Sequence, residues 1–200
     1  MTLTHPAASA PPLLPPSPWI VRWSHLVAAG GTVLDVACGA GRHMRWFQRR
    51  GHAVTGVDRA PTALEAAAAF GRTVLADIEN DPWPFEGERF DAVVVTHYLW
   101  RARLPDIVAS VAPGGVLLYE TFGAGNEAFG KPSRPDFLLQ PGELLRACEG
   151  LQVVAYENGL LHGPARVVQR IAALRPAHGP AAPPALAPDV HAAAGHDATQ

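Results

Sequence analysis

Short apolar runs alternate with stretches of helical spacing along most of the chain. The runs at Thr32–Asp35, Ala53–Asp58, Thr73–Asp77, Phe90–Thr96, Val116–Phe122, Leu151–Tyr156 and Ala165–Leu174 read as seven strands. Phe90–Thr96 is almost wholly apolar rather than alternating, as a strand covered on both faces must be. Between the strands, apolar positions recur every three or four residues. They predict helices over Pro18–Ala29, Gly41–Arg50, Pro61–Phe70, Leu104–Val111 and Pro141–Cys148. Strands alternating with helices make an α/β domain with a mostly parallel sheet and helices on both faces. Gly159–Pro164 reads as a hairpin turn, so the seventh strand is expected to run antiparallel.

Local signals refine these elements. Ser17 is a candidate N-cap, and Pro18 suits the first helical position. Trp19 and Trp23 form an i, i+4 pair on that helix. In the second helix Ala40, Met44 and Phe47 form the core-facing stripe, while Arg42, Arg45 and Arg49 form another that could meet an anionic substrate, a solvated face being the commoner outcome. The long segment Phe129–Leu139, with Lys131 and Arg134, is expected to be a substrate lid. Residues 1–17 are rich in Pro and Ala and are expected to be disordered. So is 176–200, where Pro176, Pro180, Pro183, Pro184 and Pro188 break any helix. That leaves one domain, 18–175. His178, His191 and His196 are too irregularly spaced for a metal tract, and no metal site is expected.

Composition narrows the function classes. A formal charge of −2 gives no general attraction to nucleic acid phosphates. Cys38 and Cys148 are the only two cysteines, with neither metal spacing nor a disulfide framework, which suits a reducing cytoplasmic setting. No apolar run is long enough to span a bilayer, and the N-terminus lacks the pattern of a signal peptide. A monomer or homodimer acting on a small molecule is the expectation.

The chemistry concentrates in Val33–His43, where a strand leads through Asp35 into a loop holding Gly39 and Gly41 and then into a helix. The glycines permit positive φ and a close ligand, and the helix end presents free N–H groups. A dinucleotide fingerprint needs a third glycine, and Met44 stands there instead; Asp35 would also repel a pyrophosphate. A second acid, Asp58, ends the second strand nineteen residues after Gly39, the offset of a ribose-binding acid. Asp77 ends the third strand. Thr96–Arg101 follows the fourth strand, at the sheet end where ligands of open α/β folds bind.

The Asp35-x-x-x-Gly39-x-Gly41 pattern resembles motif I of the class I S-adenosylmethionine (SAM) methyltransferases. The resemblance covers residues 32–175 and implies strand order 3-2-1-4-5-7-6. It also implies that Asp35, Ala37, Gly39 and Gly41 receive the amino-acid end of SAM. Asp58, with Arg59, would take the ribose; Asp77 and Ile78 would take the adenine; Thr96 would border the cofactor. The N-terminal helix is expected to pack against the sheet, and the resemblance adds a role as cofactor lid, the two being compatible. Glu120-Thr121-Phe122, Gly125-Asn126-Glu127, Phe129-Gly130-Lys131-Pro132 and Pro135–Leu139 are similar to small bacterial tellurite-resistance-like methyltransferases, which implies a small-molecule acceptor. Thr96-His97-Tyr98-Leu99 stands where amino-methylating enzymes of nucleobases and glutamine carry Asn-Pro-Pro-Tyr.

Two side chains suit proton transfer from an acceptor: His97, whose ordinary pKa lies near neutrality, and Glu120 at the end of the fifth strand. Tyr98 and Trp100 are expected to wall the acceptor pocket, with Arg101 binding an acid group or pairing with Glu120. Two alternatives to a methyltransferase remain open at this point: an NAD(P)-dependent oxidoreductase and a non-catalytic SAM-binding module.

Overall fold

The computed structural model describes residues 13–177 and 183–186. The expected disorder of residues 1–12 and of most of the tail lies outside them, as do His178, His191 and His196. One seven-stranded sheet runs β3-β2-β1-β4-β5-β7-β6. Its strands are β1 (Thr32–Val36), β2 (Ala53–Asp58), β3 (Arg72–Leu75), β4 (Phe90–Thr96), β5 (Val111–Phe122), β6 (Gln152–Leu161) and β7 (Arg166–Leu174). The first five are parallel; β7 runs antiparallel to both β5 and β6. The order reverses at β1, whose two neighbours are β2 and β4. That reversal opens the crevice in which α/β folds hold ligands.

Strand periodicity divides the core into two layers. Leu34, Val36, Val93, Val95, Leu117 and Tyr119 face one side of the sheet. There they pack on Ile107 of α4 (Leu104–Ala109) and Leu144 of α5 (Glu143–Ala147). Val33, Ala92, Val94, Val116 and Leu118 face the other side. They meet Trp19 and Ile20 of α1 (Pro18–Trp23), Phe47 of α2 (Arg42–Gln48) and Leu64 of α3 (Pro61–Ala67). Both faces of the central strands are therefore dry, which is why β4 reads as a continuous apolar run. Burying each such side chain contributes about 1.5–3 kcal/mol.

Several boundaries differ from the sequence reading, among them the start of β5, which lies at Val111 rather than Val116. The first helix is α-helical only to Trp23 and continues as a 3-10 turn, Ser24–Leu26, with Val27 extended. β3 ends at Leu75, so Asp77 lies in the turn beyond the strand. β6 continues to Leu161 because each residue from Ala155 to Leu161 has a partner on β7, Gly159 opposite Val168. Continuous pairing outweighs the local turn signal of the glycine.

Residues 13–17 were expected to be disordered but have defined places. Ser17 is buried and caps α1, its hydroxyl accepting the Trp19 N–H at 3.1 Å.

Candidate active site

The loop after β1 is shaped by its backbone. Ala37 and Gly39 both have φ of +54°, and Gly41, at +82°, is the N-cap of α2. The N–H of Cys38 donates to the carbonyl of Val57 at 3.0 Å, holding the loop over the end of β2. The two glycines do different work. A Cβ on Gly39 would meet open space, whereas one on Gly41 would lie 3.1 Å from Ala67 and Phe70. Gly39 therefore leaves room for a ligand, and Gly41 lets α3 close on the loop.

Asp58 fastens the same loop. Its Oδ2 accepts the N–H of Gly39 at 2.8 Å, and its Oδ1 accepts the N–H of Ala60 at 2.9 Å, just before α3 begins. Asp35 lies beneath the loop, 1% exposed. Among the described residues its Oδ2 has no hydrogen-bond partner, and the nearest basic group is Nδ1 of His43, at 4.0 Å. Burial pushes the Asp35 carboxyl up from the ordinary 3.8 to about 7, against the opposing charge of Arg42.

His43 is fully buried, and its Nε2 accepts the N–H of Ser17 at 3.1 Å. The ring proton then belongs on Nδ1, facing Asp35. Burial, with the nearby charge of Arg42, lowers the His43 pKa to about 3, so the ring stays neutral.

Two cavities open over this loop and meet at Ala37. One, of about 190 Å³, is lined by Asp58, Arg59, Ala76, Asp77, Ile78, Glu79 and Tyr98. The other, of about 620 Å³, is lined by Leu13, Leu14, Cys38, Gly39, Ala40, Arg42, His43, Thr96 and His97. Together they cross the carboxyl ends of β2, β1 and β4.

Comparison with known proteins agrees with this geometry. Residues 33–115 match a family model described as a methyltransferase domain. A malonyl-[acyl-carrier protein] O-methyltransferase from Serratia marcescens is 36% identical over 106 residues, covering 48% of this chain and 40% of that protein. A ubiquinone biosynthesis O-methyltransferase from Methylobacterium sp. is 31% identical over 163 residues, covering 68% of this chain and 65% of that protein. Among solved structures, TehB from Haemophilus influenzae superposes with a TM-score of 0.64 at 21% identity, over 78% of this chain and 61% of that one. Residues 33–115 thus match a methyltransferase domain, and the chain shares its fold with TehB. It spans 40% and 65% of the length of the two curated relatives named.

The expected site residues separate into those at the cavities and those engaged elsewhere. Ala37, Gly39, Asp58, Arg59, Asp77, Ile78, Thr96 and His97 line one cavity or the other. Asp77 also holds its own turn, accepting the Glu79 N–H at 3.1 Å and the Asn80 side-chain amide at 2.9 Å. Arg59 pairs with Glu79 at 3.5 Å. Tyr98 lines the smaller cavity with Ile78, and among the described residues its buried hydroxyl has no partner.

Trp100 lines neither cavity. Arg101 clamps a neighbouring segment: it donates to both carboxylate oxygens of Glu143, at 2.7 and 3.0 Å, and to the carbonyls of Asp136 and Leu138. These four acceptors lie close together in sequence, and the planar guanidinium satisfies them at once. Nothing is left of it for Glu120.

Glu120 is 2% exposed, with Oε1 accepting the Ser17 hydroxyl at 3.0 Å and Oε2 accepting from Arg170 at 3.1 Å. A buried carboxylate tied at both oxygens is not placed to take a proton, so Glu120 is a structural anchor rather than a base. The Phe129–Leu139 segment lines neither cavity and is tied down by Arg101 and by Asn126, whose side-chain amide donates to Pro132. The geometry therefore does not make it a lid over these cavities.

His97 stands exposed on the wall of the larger cavity, with φ of +55° and its ring 5.2 Å from that of Phe122. Desolvation, then the Arg42 charge, lowers its pKa, partly offset by Glu120. The sequence reading placed Arg42 on a stripe that could meet an anionic substrate and gave His43 no role. Arg42 lies half-buried in the cavity wall, its Nη2 donating to Thr96 Oγ1 at 3.3 Å. The available signal was position: Arg42 and His43 open the helix that the glycine loop feeds. Among the described residues no cluster of three or more His, Cys, Asp or Glu side chains could hold a metal ion. No described helix is long and apolar enough to cross a membrane.

Proposed function

We propose that this chain transfers a methyl group from SAM to a small-molecule acceptor, with the cofactor lying across the two cavities that meet at Ala37. One observation carries the reading. The glycine loop is pinned by one carboxylate, Asp58, and underlain by another, Asp35, whose Oδ2 has no partner among the described residues. Such a floor suits a ligand bearing an ammonium and a sulfonium, and opposes a pyrophosphate.

The residues fit SAM piece by piece. Asp77, Ile78 and Tyr98 would enclose the adenine in the smaller cavity, and Asp58 with Arg59 would take the ribose. Ala37, Gly39 and the negative potential of Asp35 would receive the amino-acid end, with Thr96 alongside. When bound, SAM supplies a methyl carbon already activated by a sulfonium. The protein then has chiefly to hold donor and acceptor in line. Where the acceptor must lose a proton, neutral His97 is placed to accept it. We further propose a cytoplasmic monomer or homodimer that does not use nucleic acid as its acceptor.

Calorimetric titration with SAM, S-adenosylhomocysteine and NADH tests this reading. Micromolar binding of the two adenosyl ligands and no heat with NADH is the expected result. Binding of NADH with silence toward both adenosyl ligands would overturn it.

A further inference from the structure

Two guanidiniums, one in the wall of the larger cavity and one at the start of β7, make no ion pair among the described residues. Arg42 is half-buried in that wall, and its one side-chain hydrogen bond goes to the neutral Thr96 hydroxyl. No ion pair among the described residues uses Arg42. Of the two acids whose charge reaches Arg42, Asp35 lies beneath the loop without an ion pair to it, and Glu120 is already held by Ser17 and Arg170.

Arg166 is a second such group. It is the first residue of β7, also half-buried, and its side chain donates only to the carbonyl of Pro164. The sheet register brings the start of β7 beside the end of β5. Val168 lies opposite Phe122, Gly123 donates to the carbonyl of Val167, and Phe122 carries the ring of His97. Arg166 thus stands at the strand end beside His97, close enough for its charge to act on that ring. Leu13 and Leu14 supply an apolar part of the larger cavity's wall, Leu14 with 68% of its surface exposed.

A half-buried guanidinium without an anion is an incomplete arrangement, and charge-assisted pairing with a carboxylate completes it. The amino-acid end of SAM brings one carboxylate, so one of the two guanidiniums stays unmatched when the cofactor is bound. We propose that the acceptor is an organic anion, a carboxylate on an apolar body, whose charge is held by Arg166 beside His97 and whose body lies against Leu13 and Leu14. This inference rests on the methyltransferase reading and deepens it by naming the acceptor's class.

The test uses the full chain saturated with S-adenosylhomocysteine. Octanoate and benzoate are titrated in parallel with octanol and benzyl alcohol, and the His97 ring is followed by NMR. Each acid is expected to bind at least about tenfold tighter than its alcohol. Each acid should also raise the His97 pKa, because a bound anion favours the imidazolium.

Arg166→Gln should remove most of the preference for acid over alcohol while leaving S-adenosylhomocysteine affinity within about twofold, and Arg166→Lys should retain it in part. Acids binding no tighter than alcohols, or a preference that survives Arg166→Gln unchanged, would overturn the proposal. If S-adenosylhomocysteine itself does not bind, the methyltransferase reading fails first and takes this inference with it.

Discussion

The backbone N–H of Ser17 donates to Nε2 of His43 across 3.1 Å. This bond joins the cap of α1 to the helix that follows the glycine loop, and the Ser17 hydroxyl adds a bond to Glu120 on β5. Ser17→Ala keeps the first contact, since the N–H remains, but loses the cap to Trp19 and the tie to Glu120. Urea denaturation should show a loss of about 1–2 kcal/mol. A change below about 0.5 kcal/mol would mean that the hydroxyl contributes little to seating α1.

Asp58 serves the loop and, in our reading, the ribose at once. Asp58→Ala removes acceptors from Gly39 and Ala60 together with the proposed ribose contact. SAM affinity should fall by about a hundredfold or more, on the basis of about 1.5–3 kcal/mol per hydrogen bond to a charged group. Calorimetry giving near-normal affinity would sink the ribose assignment.

Asp35 makes cofactor binding depend on pH. Its carboxyl titrates at about 7, so below that value the negative potential under the loop is lost. SAM affinity should therefore weaken as pH falls from 8 to 6, and Asp35→Asn should be weak at every pH. Folding carries the opposite sign. The native state keeps a proton that the unfolded chain releases above the ordinary 3.8. The stability from this group is present at low pH and is lost as pH rises from about 4 through 7. Denaturant titrations across that range, on wild type and Asp35→Asn, measure the difference directly.

His97→Asn should leave SAM affinity intact and slow turnover by about a hundredfold if the acceptor must lose a proton. Asn is chosen because it tolerates the positive φ at this position. Because the His97 pKa is lowered, the neutral, proton-accepting form persists below the usual 6.5. The rising limb of kcat/KM against pH should lie below that value. A limb above it, or unchanged turnover in the variant, excludes His97 as the base.

Gly39→Ala and Gly41→Ala should separate binding from folding. Both force an alanine into positive φ, costing about 1 kcal/mol each. At Gly41 the added methyl also presses on Ala67 and Phe70, so its thermal stability should drop further. At Gly39 the methyl enters open space, so the larger effect should be on SAM affinity. Equal effects of the two variants on affinity would contradict this division.

The sequence by itself determined the sheet and the cofactor loop, because both depend on short-range pattern. Apolar runs with two dry faces define parallel strands wherever they are placed, and Asp35, Gly39 and Asp58 stand at strand ends that motif spacing locates. The strand order itself came through family resemblance. Tertiary structure decided which charges stay available. Glu120 reads as a base until Ser17 and Arg170 occupy both its oxygens from 103 and 50 residues away in sequence. Arg101 reads as an acceptor-binding group until Glu143 and two carbonyls claim it. Arg42 reads as one arginine of a stripe whose commoner outcome is a solvated face, yet α2 starts at the loop and turns it into the cavity. Helical and strand periodicity report local geometry. Whether an ionisable group is free or spent depends on partners far along the chain, which only the packed fold brings within hydrogen-bonding distance.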